Sequence, residues 1–335
     1  MAVVDPISRI EGLISGAEIQ FQLEFLSALQ AIRNSISLDE IATLLERGAI
    51  SEAFAIIGQA AAKLGLVHAE QFVRAGSSTA DFLTGEVGEI IIGFDQTNAR
   101  AVRAMQENQL RLVQNFTEQQ RRATSQALVE GVRDGVNPRE MARRFRDSIG
   151  LTENQERWVR NYERALRNLD RNALARELRD RRFDNTVRRA IDQGEPLTQK
   201  QIDKMVDRYR QRALKLRAET IARTEGLRAA HEGTEEMYRQ AIESGQLAPD
   251  QLIRRWNTAA DERVRDFGTG AQTSHRTMHG QERLVGEAFS SGAGMLTLNP
   301  GAFGVANEDI NCRCVVSTRI LNLNELPSIV SVVAF

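Results

Sequence analysis

Apolar residues recur at helical spacing along the first hundred residues and predict a series of helices. The first covers residues 17–36. Ser37 with Glu40 three positions later is the pattern of a capping box, and it predicts the start of a second helix. A third helix follows, and a fourth is predicted to stop at the small residues AGSS, positions 75–78. We therefore interpret residues 1–100 as an N-terminal helical region.

The hydrophobic spacing of residues 101–217 predicts one long helix followed by helix–turn–helix units with short loops. Three helix starts carry capping patterns: Asn137 with Pro138, Thr152 with Gln155, and Thr198 with Gln201. No fixed-period repeat runs through this segment. We interpret it as a second, basic helical region.

The pattern changes after about Gly233, where glycine, serine and threonine gather around short β-like runs. The runs CVVSTRI and SIVSVVAF are predicted strands. We interpret residues 218–323 as a small α+β module and residues 324–335 as an apolar C-terminal tail. The predicted fold class is mainly α, with N-terminal and central helical regions followed by this module.

Composition agrees with a mostly helical globular protein, since 41% of the 335 residues are hydrophobic and only 6 are proline. The most apolar stretch is interrupted by Gln59 and Lys63 and is too short for a membrane span. No secretory signal pattern is present at the N-terminus, and two cysteines cannot form a disulfide framework. We expect a soluble protein made in a reducing compartment.

Charge is unevenly distributed, although the net charge is only −1. Residues 101–217 carry 27 Lys and Arg against 17 Asp and Glu. One interpretation is non-specific contact with the phosphates of double-stranded DNA. The other is a solvated helix face of Arg–Glu pairs. The candidate DNA-contacting residues are Arg143, Arg144, Arg181, Arg182, Arg188 and Arg189.

Both cysteines stand in one C-x-C pair, Cys312 and Cys314, within a predicted strand. Residues i and i+2 of a strand share a face, so the two thiols should project side by side. His275 and His279 have the H-x3-H spacing of one helix face, and Cys2His2 is a zinc ligand set. Zinc bound by these four residues, ordinary core packing, and a thiol nucleophile with a histidine base are the three interpretations.

Three motifs in fixed order decide among the function classes. They are ETIARTEGLRAAHEG at 219–233, RWNTAADERVRDF at 255–267 followed by HGQ, and NPGAFGVANEDINCRC at 299–314. Together they resemble the phage head morphogenesis family, the minor head proteins similar to the Mu F protein and the SPP1 minor capsid protein. The ordered set covers about a hundred residues. The helices just upstream are also similar to the region that precedes the module in that family.

The resemblance implies a virion component and no enzymatic activity. It implies a minor capsid protein in the head near the portal vertex, present in the host cytoplasm during assembly, with roles in head assembly and in DNA packaging or ejection. The implied partners are the portal protein, the scaffold or major capsid protein, and double-stranded DNA, with no membrane. The competing hypothesis is a zinc- or cysteine-dependent hydrolase or nuclease, or an effector delivered by such a module.

Residue by residue, the resemblance identifies a set of structural motif positions. They are Arg223, Thr224, Glu225, Trp256, Asp261, Arg263, His275, Gly280, Gln281, Phe289, Asn311, Cys312 and Cys314. The spacer before His275 is longer than is usual in the family, and His279 replaces a small polar or acidic residue there. We expect Arg223 to pair with Asp261, Trp256 to anchor the core, and Asn311 to bond loop backbone beside the cysteines.

Overall fold

Helices make up most of the chain, as the hydrophobic spacing predicts. The computed structural model describes residues 5–35, 37–47, 49–87, 91–267 and 273–321. The α-helices are α1 Pro6–Ser35, α2 Leu38–Glu46, α3 Ile50–Val87, α4 Ala99–Arg133, α5 Pro138–Ser148, α6 Glu153–Arg167, α7 Asp184–Gln193, α8 Gln199–Glu243 and α9 Ala306–Asp309. Short 3₁₀ helices cover Arg171–Ala175, Arg181–Phe183, Pro249–Gln251 and Arg276–Met278. Among the described helices, none has the length and hydrophobicity of a membrane span.

The predicted helix starts are confirmed by their hydrogen bonds. The side chain of Asn137 accepts from the backbone N–H of Glu140 at 2.9 Å, which caps α5. Thr152 and Gln155 form both bonds of a capping box at the start of α6. Such caps satisfy backbone N–H groups that have no partner inside the helix, and each contributes roughly 0.5–2 kcal/mol.

The predicted break at residues 75–78 is wrong, because α3 continues through it to Val87. The small residues serve packing instead of chain reversal. A Cβ on Gly76 would lie 2.7 Å from the ring of Phe94, so only glycine leaves room for that ring. The hydroxyl of Thr79 donates to the carbonyl of Ala75 at 2.8 Å and stays within the helix.

Five short strands lie in the C-terminal part of the chain, as predicted. They are β1 Leu252–Asn257, β2 Glu282–Leu284, β3 Phe289–Ser290, β4 Leu296–Thr297 and β5 Val315–Ile320. Strand β1 is central in a three-stranded antiparallel sheet, with β2 on one side and β5 on the other. Strands β3 and β4 form a separate antiparallel pair. The predicted fold class, mainly α with a small α+β module, is confirmed.

The chain forms two compact units from interleaved segments. The mixed unit comprises Met1–Gln22, Leu66–Gln109 and Thr220–Phe335, and it contains all five strands described. The helical unit comprises Leu23–Gly65 and Leu110–Glu219. The three regions predicted from the sequence, 1–100, 101–217 and 218–323, are each one continuous range, whereas both units combine separate segments of the chain. That division into three regions stays a prediction. The predicted tail, residues 324–335, lies outside the described residues.

A buried arginine occupies the core of the helical unit. Arg217 donates to the carbonyl of Gly150 at 2.6 Å and lies over the ring of Phe116, 5.0 Å from its centroid. Burial without an adjacent carboxylate lowers the pKa of its guanidinium to about 9. Gly150 has φ = 90°, and a Cβ there would lie 2.6 Å from Leu29. This turn therefore requires glycine both for its backbone conformation and for its packing.

The core of the mixed unit joins helices to the small sheet. One apolar cluster contains Ile10 and Leu227 from the helices together with Trp256 and Val316 from the sheet. Trp256 has no exposed surface, which confirms the prediction that it anchors the core. Side chains alternate along β1, so Leu252, Arg254 and Trp256 lie on its buried face.

Candidate functional site

The C-x-C pair lies between a turn and a strand, and not within the strand. Strand β5 begins only at Val315, after both cysteines. Asn311 adopts the left-handed conformation with φ = 59°, and the N–H of Cys312 donates back to the carbonyl of Asp309 at 3.2 Å. The chain therefore turns over residues 309–312, and regular strand structure starts only after Cys314. The two thiols are still neighbours, because their sulfur atoms lie within 4.8 Å of each other.

His275 reaches the same point from another loop. It precedes the 3₁₀ helix Arg276–Met278, and its N–H donates to the carbonyl of Arg265 at 3.0 Å. Its Nδ1 lies 3.7 Å from the Sγ of Cys312 and 3.7 Å from the Sγ of Cys314. All three ligand atoms lie within 4.8 Å of one another, and all three side chains are buried. We call these three residues the thiol–imidazole cluster.

A buried carboxylate lies on the other side of the imidazole. The Oε2 of Glu308 is 3.2 Å from the Nε2 of His275, at ion-pair distance but without the alignment of a good hydrogen bond. The hydroxyl of Thr273 donates to the same Oε2 at 2.9 Å. A carboxylate at Nε2 favours the tautomer with the proton on that nitrogen. The Nδ1 lone pair then faces the two sulfurs.

The two thiols ionise unequally. The neighbouring Cys314 thiol lowers the pKa of Cys312 well below its ordinary value, against the opposing effect of burial. The same thiol pair and burial raise the pKa of Cys314 well above its ordinary value. The first proton is therefore lost from Cys312. A thiolate beside a thiol and an imidazole can coordinate a soft metal ion.

Aromatic rings enclose the thiol–imidazole cluster. The imidazole of His275 stacks on Phe303, with 5.0 Å between the ring centroids, and Trp256 meets it edge-on at 6.2 Å. Phe289 packs against Trp256 at 5.3 Å and has no exposed surface. These rings fix the orientation of the imidazole and exclude solvent from it.

His279 is not brought to the cluster. It follows the 3₁₀ helix, is exposed, and accepts at its Nδ1 from the N–H of Thr258 at 3.1 Å. The H-x3-H spacing places two imidazoles on one face only within an α-helix, and this segment is a single 3₁₀ turn. The structure thus groups three of the four predicted ligands.

The ARTE motif lies on α8, and its residues have separate partners. The expected pair of Arg223 with Asp261 is wrong: Arg223 lies 3.6 Å from Glu18 on α1. The hydroxyl of Thr224 accepts from the backbone N–H of Asn311 at 3.1 Å. This bond ties α8 to the turn that carries the cysteines, and it uses the backbone of Asn311 where we expected its side chain.

Asp261 and Arg263 form a local pair within the loop that leads towards His275. Asp261 accepts from the backbone N–H of Arg263 at 3.0 Å and also from its guanidinium. This pairing lowers the pKa of the Asp261 carboxyl. The backbone carbonyl of Asp261 accepts from Arg276 at 3.1 Å. These contacts hold the part of the loop around Asp261 in place.

Gly280 and Gln281 connect β1 to the β3–β4 pair. The N–H of Gly280, with φ = 81°, donates to the carbonyl of Trp256 at 2.8 Å. The side chain of Gln281 donates to the carbonyl of Ser290 at 2.7 Å and accepts from its N–H at 3.2 Å. A glutamine amide can make both bonds at once, so it replaces a pair of strand hydrogen bonds here.

Two buried arginines that sequence analysis missed bind the NPG loop, which is residues 299–301. Arg228 forms an ion pair with Glu225 at 3.2 Å and donates to the carbonyl of Gly301 at 2.8 Å. Arg254 pairs with Glu235 at 3.0 Å and donates to the side chain of Asn299 at 2.6 Å.

Both missed arginines had a signal in the sequence. Arg228 stands three residues after Glu225 on a predicted helix, which is a pairing distance. Arg254 occupies an alternate position with Leu252 and Trp256, so it shares their buried face. No comparable signal links either residue to the loop, because the loop lies more than forty positions away.

Most of the predicted DNA-contacting arginines already have partners in the helical unit. The pairs are Arg143 with Glu140, Arg144 with Asp134, Arg182 with Asp180, and Arg188 with Asn185, at 2.6–3.2 Å. Arg181 and Arg189 are exposed and form no ion pair within the residues that the structure describes. The geometry therefore gives four of the six a local side-chain partner, which favours local pairing for these four.

Comparison with known proteins identifies one family. Residues 181–317 match the model of the family described as Phage Mu protein F like protein. The matched segment contains the three ordered motifs and the thiol–imidazole cluster, and it confirms the resemblance to phage head morphogenesis proteins. Neither the comparison with curated proteins nor that with solved structures gave a match. The family match indicates a phage head protein.

Proposed function

We propose that this chain, a member of the phage Mu protein F-like family through residues 181–317, is a minor head protein at the portal vertex of a phage particle. It takes part in head assembly and in the packaging or ejection of DNA. The family match is the observation that carries the proposal. Its expected location is the virion head, with the host cytoplasm as the site of assembly.

The contacts of the motif residues support a structural role. Thr224, Gln281 and Phe289 each connect separate segments of the mixed unit. A hydrolase would need its nucleophile to reach a substrate, whereas Cys312 is 1% and Cys314 3% exposed. The rival proposal, a cysteine-dependent hydrolase, therefore lacks an open site in the described part of the chain.

An apolar patch on α1 is the surface we assign to the portal protein. Leu23 is 57% and Leu26 36% exposed, and residues three apart lie on neighbouring turns of one helix face. Exposed leucines in contact with a partner remove apolar surface from water, which is the main favourable term in association.

Co-purification with the portal protein of the same genome tests the proposal. We expect the two full-length proteins, produced together, to elute as one complex in gel filtration. Leu23→Glu should abolish the complex, because it places a charge in the apolar contact. Leu296→Glu is the matched control, since Leu296 is 65% exposed but lies on β4.

The outcomes are distinct. A complex lost only with Leu23→Glu supports both the function and the surface. A complex lost only with Leu296→Glu keeps the function and moves the contact to the mixed unit. Failure of the wild-type proteins to associate, with both of them folded, argues against the portal-associated role.

A further inference from the structure

The thiol–imidazole cluster has the dimensions of a metal site. Tetrahedral zinc with Zn–N near 2.0 Å and Zn–S near 2.3 Å places the nitrogen and each sulfur roughly 3.6 Å apart. The Nδ1 of His275 lies 3.7 Å from each of the two sulfurs. Two distances thus agree with a single central ion.

The surroundings of the cluster also match a metal site. Metal-bound histidines commonly donate their second ring N–H to a carboxylate, which fixes the tautomer and directs the lone pair at the ion. The Oε2 of Glu308 lies 3.2 Å from the Nε2 of His275, beside the second ring nitrogen, and accepts from the hydroxyl of Thr273. Glu308 has no exposed surface, and a buried carboxylate requires a specific reason.

We propose that His275, Cys312 and Cys314 bind one zinc ion, with Glu308 positioning the imidazole. Each cysteine loses its proton to solvent when the ion binds, so that two thiolates and a neutral imidazole face the ion. Three protein ligands leave the fourth coordination position to a donor outside this set. The ion links the loop after β1 to the turn before β5.

Two other states of the same residues compete with this proposal. One is a hydrogen-bonded thiol pair in an ordinary core. The other is a Cys–His nucleophile and base. Neither requires Glu308 at the far nitrogen together with both sulfurs equidistant from Nδ1. Soft thiolate and imidazole ligands select zinc over magnesium or calcium, which prefer oxygen.

Elemental analysis of the full-length chain tests the proposal directly. The protein is produced without a polyhistidine tag in zinc-supplemented medium and purified under reducing conditions. We expect about one zinc per chain after gel filtration. His275→Ala, Cys312→Ser and Cys314→Ser should each lose the ion. His279→Ala is the matched control and should retain it, because His279 lies outside the cluster.

Ligand variants can also lose metal by failing to fold, so a second measurement leaves all three ligands in place. Apo protein is titrated with Co²⁺, and two thiolate ligands should produce a sulfur-to-metal charge-transfer band that saturates near one equivalent. Glu308→Gln should keep the band and weaken zinc affinity about 10- to 100-fold in competition with a chelator.

Two results would overturn the assignment. The first is wild-type protein that contains no zinc and gives no charge-transfer band with Co²⁺. The second is zinc retained equally by Cys312→Ser and Cys314→Ser, which would place the ion elsewhere. Neither result depends on binding to the portal protein, so this inference and the proposed function can fail separately.

Discussion

The helical unit has the buried Arg217 but carries many other arginines in exposed local pairs, whereas Arg254 of the mixed unit pairs inside the core. In the helical unit many arginines pair with carboxylates one turn away, such as Arg157 with Glu153, whose side chains are 50% and 44% exposed. In the mixed unit Arg254 is 1% exposed and connects β1 to Asn299, forty-five positions along the chain. The first kind of pair lies on the surface of one helix, whereas the second connects distant segments of the chain inside the core.

The comparison shows that a count of charges does not indicate their role. Residues 101–217 are the basic segment, yet many of their arginines are engaged locally. Exposed pairs contribute about 0–1 kcal/mol, whereas removal of one member of a buried pair costs about 3–5 kcal/mol. Burial and distance along the sequence therefore decide which arginines matter for stability.

The largest expected effect is at Arg254. Arg254→Met should destabilise the mixed unit by about 3–5 kcal/mol, because Glu235 is left buried without its cation and Asn299 without its donor. Urea unfolding can be followed by Trp256 fluorescence in a Trp158→Phe background, which leaves one tryptophan in the chain.

Its control is the next residue on the same strand. Arg255 is exposed, so Arg255→Met should change stability by no more than about 0.5 kcal/mol. Equal effects of the two substitutions would contradict the distinction between buried and exposed arginines.

A buried histidine extends the comparison to pH. His231 on α8 is 2% exposed, and burial, followed by the charges of Arg254 and Arg9, lowers its pKa from 6.5 to about 3. Between those values the unfolded chain holds a proton that the folded chain does not. Stability therefore falls by about 1.4 kcal/mol per unit as pH drops from 6.5, and this effect is absent above pH 6.5.

His231→Leu removes this titration. We expect a shallower decline of unfolding free energy between pH 6.5 and 4.5 than in the wild type, whatever its absolute stability. His279→Ala should leave the slope unchanged, because His279 is exposed. A wild-type slope in His231→Leu would show that other groups dominate acid unfolding.

A smaller effect is expected at an exposed pair of the helical unit. Arg157→Gln should cost about 0.3–0.5 kcal/mol, and the cost should decrease in high salt, since solvent ions screen exposed pairs. The measurement is urea unfolding at low and high salt, followed by Trp158 fluorescence in a Trp256→Phe background. A loss of unfolding free energy above about 2 kcal/mol would contradict the distinction between exposed and buried pairs.

The smallest expected effect concerns DNA. We propose weak non-specific binding through Arg181 and Arg189, the two candidates that form no ion pair within the described residues. The double variant Arg181→Gln, Arg189→Gln should reduce the slope of log affinity against log salt by up to about 2. Arg143→Gln, at a paired position, is the control. Binding by the wild type that does not respond to salt would exclude phosphate contact.

Local features of the fold could be predicted from the sequence. A cap needs only residues three apart, so Asn137 and Thr152 were predicted correctly. The continuation of α3 through Gly76 could not be predicted. The ring of Phe94, which packs against Gly76, lies eighteen positions further along the chain. The partner of Arg223 was predicted wrongly for the same reason. Helix periodicity carries no information on distant partners, so it could not indicate Glu18.

The candidate site shows the same division. Adjacent thiols followed from the C-x-C spacing, although the pair lies just before a strand and not within it. The grouping of His275 with the cysteines was expected from the zinc ligand set and from the family resemblance. Neither of them indicated Glu308. Glu308 reaches the imidazole because α9 is a single short turn, which hydrophobic spacing does not predict.

The central position of β1 also affects how the molecule folds. Strand β5, which pairs with β1 from Leu252–Ile320 to Asn257–Val315, follows it by nearly sixty residues. Pairing over such a separation is slow, because a long loop must close first. Until then one side of β1 presents unpaired backbone groups to other chains. A chain truncated before Val315 would keep that edge, and we expect it to aggregate rather than remain partly folded.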